Sequence, residues 1–172
     1  STSTAVNPGS TVASIALTTQ ASGVDAHWKL TPAPVVTLRD SNGVRIQNGD
    51  SSTSVVIASI SSGGMFINSQ GDLIGTATQA TAVGGIASFS NLGLNGVAGT
   101  NYTITFSSGG FTETQTVTAV IGDPYKLALT TVGVGGQAGV SFSTQPVVKI
   151  QDVAGNLITS DSWTIVSVTT PT

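Results

Sequence analysis

The sequence predicts an all-β protein built as β-sandwich modules set in tandem. Three observations carry that expectation. Apolar and polar residues alternate over short stretches, and the 3.6-residue period of a helix is absent. Turn-forming pairs fall between those stretches. The chain also starts over after about 110 residues, the size of one small domain rather than one solenoid turn.

The repeat runs without a gap. Ile15-Ala16-Leu17-Thr18-Thr19 returns as Leu127-Ala128-Leu129-Thr130-Thr131, and Pro34-Val35-Val36 returns as Pro146-Val147-Val148. Asp40, Gly43 and Ile46 match Asp152, Gly155 and Ile158. The second copy reaches less than halfway through the period. Thr4-Ala5-Val6 resembles Thr118-Ala119-Val120, the end of the first module's last strand. The expected organisation is therefore the end of a preceding module or a linker over 1–12, a complete sandwich over 13–122, a junction at 123–124, and the first strands of a second module over 125–172. Residue 1 is not Met, which agrees with an excised piece. The alternative is a natural chain with a smaller second domain.

Strands are expected at 12–19, 35–39, 53–59, 74–82, 86–89, 101–107 and 111–120. Within 35–39, Val36 and Leu38 face inward, and Thr37 and Arg39 outward. The repeat keeps that phase, with Val148 and Ile150 inward and Lys149 and Gln151 outward. In 101–107, Tyr102, Ile104 and Phe106 line one side, and Asn101, Thr103 and Thr105 the other. The inward set of Leu17, Val36, Leu38, Phe89, Tyr102, Ile104 and Phe106 forms the expected core. Between the strands stand Asp40–Gly43, Asn48–Asp50, Ser62–Gly64, Gly84-Gly85, Asn95-Gly96 and Ser108–Gly110, where Asn-Gly and Gly-Gly supply positive φ. Seven or so short strands punctuated in this way read as a β-sandwich. Gly99-Thr100-Asn101-Tyr102 has the form of a tyrosine corner, in which the hydroxyl bonds to the backbone upstream. An ordinary inward aromatic would leave the same trace.

Composition narrows the class. Charged residues are 8% of the chain and the net charge is −3, so the clustered cations that phosphate binding needs are lacking and no nucleic-acid partner is expected. Mean hydropathy of +0.30 is too high for a disordered chain. No apolar run approaches the roughly 18 residues of a spanning helix, so this segment is not expected to enter a membrane. Cysteine is absent, which removes disulfides and thiolate metal sites. Few charges amid so much Ser and Thr point to a surface covered in part by glycans or by neighbouring molecules.

Taken together, Pro34–Gly43, Gly85–Leu92 and Ala98–Phe106 resemble bacterial Ig-like surface repeats: invasin- and intimin-type and filamin-like modules strung along adhesins and extracellular filaments. The resemblance spans nearly all of residues 13–170. It implies Ig-like β-sandwiches in tandem at a cell surface, partnered by neighbouring modules of the chain or neighbouring filament subunits. It supplies no catalytic residues. His27-Trp28 departs from the repeat, which has Gly139-Val140 there.

Candidate sites are few. One His, one Glu and no Cys leave no catalytic set to assemble, and no cofactor is expected. Calcium needs six to eight oxygens with several carboxylates. Asp40 with Asn42, Asp152 with Asn156, and Asp123 at the junction are what a calcium ion would have to use. Each cluster holds one acid, and an Asp-started turn accounts for the spacing, so no metal is expected. Asn101-Tyr102-Thr103 is a glycosylation sequon with its Asn on the outward phase. Thr112, Thr114, Thr116 and Thr118 share one strand face, either a solvated β face or a surface for ice or polysaccharide. His27 and Trp28 form the possible binding surface. The leading expectation is a structural repeat of a stalk or filament. The alternatives are a module that binds glycan or a surface receptor, and an accessory domain of a secreted enzyme.

Overall fold

The computed structural model describes residues 11–24 and 29–169. It divides into two compact units, Ser1–Val120 and Ile121–Thr172. The described residues are all-β apart from one 3-10 turn at Asp50–Thr53.

The first unit holds β1 (Ser14–Thr19), β2 (Gly23–Val24), β3 (Leu30–Thr31), β4 (Val35–Arg39), β5 (Val55–Ile60), β6 (Met65–Ile67), β7 (Leu73–Gly75), β8 (Ala77–Thr81), β9 (Ile86–Ser88), β10 (Gly93–Asn95), β11 (Asn101–Ser108) and β12 (Phe111–Thr118). One sheet has the order β1-β4-β9, a second β12-β11-β5-β8 and a smaller third β10-β6-β7, while β2 and β3 pair as a hairpin. Every pairing is antiparallel. The two larger sheets share one buried cluster, as in a sandwich. Ile15, Val36 and Leu38 come from one, and Val56, Ala58, Ile104 and Phe106 from the other. Phe89 and Phe106 meet with ring centroids 5.2 Å apart and tilted by 57°, within the range of favourable aromatic pairs.

Alternation placed most of this core. Tyr102, Ile104 and Phe106 are buried, whereas Asn101 and Thr103 are exposed. Two positions differ. Thr37, expected outward, is buried because β4 is the central strand of its sheet and the Thr18 hydroxyl lies 3.0 Å from its own. Leu17 sits at the rim, only partly buried, and Ile15 takes the interior place on β1. A register shift between Leu17 and Thr19 follows directly on that position.

Element boundaries differ where the period is interrupted. The strand expected over 74–82 is two strands, split at Gly75, whose φ of +104° breaks the extended run. Both β6 and β10 were missed because three residues are too few to show alternation. The turn expected at Asn95-Gly96 is instead the end of β10 and a bend. Gly96 is needed there for space: a Cβ would overlap Cε2 of Tyr102.

The second unit contains β13 (Lys126–Thr131) and β14 (Val147–Gln151), an antiparallel pair. Ile121 and Gly122, expected to close the first module, group with this unit. The Gly122 N–H donates to Asp152 Oδ2 at 3.0 Å.

Candidate functional site

The β13–β14 hairpin repeats the β1–β4 hairpin residue by residue, 112 positions later. Ser14 faces Arg39 and Lys126 faces Gln151; Leu17 faces Val36 and Leu129 faces Val148. The register shift recurs between Leu129 and Thr131. The hydroxyl of Thr18 donates to the Val35 oxygen at 3.2 Å, and that of Thr130 to the Val147 oxygen at 3.3 Å. After each second strand the Asp starts a turn. The Gly43 and Gly155 amides donate to the Asp40 and Asp152 oxygens, and both glycines have positive φ. The Ile46 and Ile158 amides then bond back to Leu38 and Ile150 at 3.0 Å.

What differs is the cover. Ile15 is 5% exposed and Leu127 55%, while Val56 is 0% exposed and Val168 88%. Leu30, Val36 and Leu38 are buried; Phe142 and Val148 are exposed and Ile150 is half-buried. In the first unit these positions lie in the cluster shared with β5 and β11. In the second, Leu127 and Ile150 of the matching set line an open groove of about 230 Å³ with Tyr125 and Ile165. Residues 164–169, rich in β-branched side chains, pair with no strand. An apolar face of this kind, beside unpaired strand edges, is suited to receiving further strands.

The acids named as calcium candidates are occupied by amides. Asp40 Oδ1 accepts the N–H groups of Asn42 and Val44, each at 2.9 Å. Asp152 is fully buried. Its Oδ1 accepts the Asn156 N–H at 2.8 Å, and its Oδ2 accepts Asn156 Nδ2 at 2.8 Å and the Gly122 N–H at 3.0 Å. Asp123 lies one residue beyond Gly122. Among the described residues no three His, Cys, Asp or Glu side chains come together. Both carboxylates act as turn acceptors, and the second also holds the segment leading into its unit.

Asn101 begins β11 on the outer face, and the Thr118 hydroxyl donates to its Oδ1 at 2.6 Å. The Thr row is exposed throughout and faces a second row. Thr112, Thr114, Thr116 and Thr118 stand opposite Ser107, Thr105, Thr103 and Asn101. His27 and Trp28 lie outside the described residues. Among those described, no helix is long and apolar enough to cross a membrane.

No family model matches the chain, and neither the curated proteins nor the solved structures contain a match to it.

Proposed function

We propose that the chain is a structural segment of an extracellular protein, made of Ig-like β-sandwich modules in tandem that form a stalk or the body of a filament. The observation that carries this reading is the path of the chain through the first unit. Val12 packs beside Gly109, in the turn that precedes β12, with its Cβ 3.5 Å from where a Gly109 side chain would begin. The Ala21 N–H then reaches Gln115 Oε1, halfway along β12, at 2.9 Å. So β1 and β12 run side by side in the same direction. The chain enters at one end of this unit and leaves beyond Thr118 at the other, as tandem linkage requires. Tension applied at the two ends loads the first and last strands in shear, which must break many contacts at once.

In this reading the second unit is the opening of another module. Its uncovered face accepts strands equivalent to β5 and β11. Tyr102, through its bond to the Val97 amide, is the corner tyrosine expected of such a module. The polypeptide performs no chemistry of its own; its partners are neighbouring modules or neighbouring subunits.

Single-molecule pulling from the two termini tests the reading. The first unit should unfold as one event that lengthens the chain by about 35 nm, at roughly 3.5 Å per residue released. Gradual extension without a resolved event would contradict a load-bearing role. A second reading, a glycan-binding module, is favoured by the doubled hydroxyl rows on β11 and β12. It requires Thr114→Val with Thr116→Val to abolish retention on a polysaccharide that the unaltered protein binds.

A further inference from the structure

We propose that the first unit pairs with a second copy of itself through the free edge of β8, antiparallel, with Gln79 facing its own counterpart. This rests on the first unit alone and holds whatever completes the second. β8 closes the four-stranded sheet, with β5 on one side and, among the described residues, no strand on the other. Its backbone phase is set by two bonds. The Ile60 N–H donates to the Thr76 oxygen at 3.0 Å, and the Ala82 N–H to the Ser54 oxygen at 3.1 Å. Even-numbered residues therefore turn their backbone groups to β5. Ala77, Gln79 and Thr81 turn theirs to the open edge.

Edges of this kind are normally guarded by charge, by proline, by a bulge or by a covering segment. Among the described residues this one has none of those guards. No Asp, Glu, Lys, Arg or Pro occurs from Leu73 to Thr112. The β5–β8 register runs without a shift from Val55–Thr81 to Ser59–Ala77. The inner side of the edge opens on a cleft of about 270 Å³, between Thr78 and Ala80 on one wall and Ser88 and Phe89 on the other. The opposite flank of the sandwich is closed, because β1 and β2 pack against β12. On the other sheet β9 offers an edge of only three residues.

The sequence of β8 suits an identical partner. Antiparallel pairing about Gln79 sets Ala77 against Thr81 and Thr78 against Ala80, a small residue facing a Thr at each place. The central amides each carry a donor and an acceptor, so they satisfy one another. No like charges meet at the symmetry axis, where they would repel. Five residues bury little surface, so a single contact is weak. Modules repeated along two chains lying side by side in opposite directions would multiply it.

Backbone amide exchange of the full 172-residue chain, followed residue by residue, tests this. Raising the protein from about 50 µM to about 2 mM should slow the Ala77, Gln79 and Thr81 amides about two- to threefold, the change in free fraction of a dimer with a Kd near about 1 mM, since a small interface is populated only at high concentration. Gln79→Lys places like charges at the axis and should abolish that slowing while leaving the thermal midpoint of the first unit in place. Three results overturn the proposal: exchange at these amides independent of concentration, slowing that survives Gln79→Lys, or slowing at these amides only together with residues 164–169. The last would assign the edge to the unpaired segment of another copy.

Discussion

The hydroxyl of Tyr102 accepts the backbone N–H of Val97 at 3.0 Å, and its ring fills the space a side chain on Gly96 would need. Gly64 meets the same ring from another side, where a Cβ would lie 2.8 Å from Cδ1. One aromatic thus fixes the chain before β11 and the turn after β5.

Tyr102→Phe should cost about 1 kcal/mol, the net worth of one hydrogen bond, because the ring stays. Gly96→Ala should cost more, in the range of about 1–3 kcal/mol typical of overpacking. Denaturant unfolding measures both. A Gly96→Ala protein as stable as the parent would show that the ring does not press on that backbone.

The phase of β11 gives a second expectation. Phe106→Ala should cost roughly 3–5 kcal/mol, as truncation of a buried aromatic does. Thr105→Ala, on the outer face, should cost under about 0.5 kcal/mol. The reverse order in equilibrium unfolding would contradict the assignment of faces.

The turn acids should matter without metal. Chelator and millimolar calcium should give the same thermal midpoint, since amides already occupy the carboxylates. Asp152→Ala leaves three donors without their acceptor and should speed amide exchange at Gly122, whereas Asp40→Ala should leave that amide alone. A midpoint raised by calcium would overturn the assignment of these residues as turn acceptors.

Asp161 supplies the pH dependence. The Thr164 hydroxyl, then the amides of Trp163 and Thr164, hold its carboxyl below the ordinary value of 3.8. The amide bonds are 2.8 Å and 3.0 Å long. A depressed carboxylate supports its turn at pH values above the unfolded value and loses that support as pH falls through the folded one. Carboxyl chemical shifts should titrate with a midpoint below 3.8, with the Thr164 amide loosening over the same interval. A midpoint at or above 3.8 would contradict the bonding.

Much of the fold was legible because burial on one face leaves a period of two. The run from Asn101 to Ser107 shows it plainly, and the repeat of Ile15–Thr19 at Leu127–Thr131 is matched by a shared register in the structure, whose shift the sequence did not announce. Thr37 was misread because a central strand can be covered on both faces, which one strand's pattern does not reveal. Three-residue strands such as Met65–Ile67 carry no period at all. The hold of Asp152 on Gly122 spans thirty residues and no local spacing announces it. The open edge of β8 left a trace, the uncharged stretch after Asp72, but the meaning of that stretch depends on knowing which strand ends the sheet.

The central claim is that the second unit is the opening of a module like the first, lacking the strands that cover it. Amide exchange of the 172-residue chain can be compared with that of a chimera in which Ile57–Val120 follows Val168, supplying the missing strands from the first unit. The account predicts fast exchange at Leu127–Leu129 and Val147–Ile150 in the original chain, and slow, cooperative exchange at the same amides in the chimera. A monomeric original chain with slow exchange throughout Val147–Ile150 would contradict it and make the second unit a complete small domain.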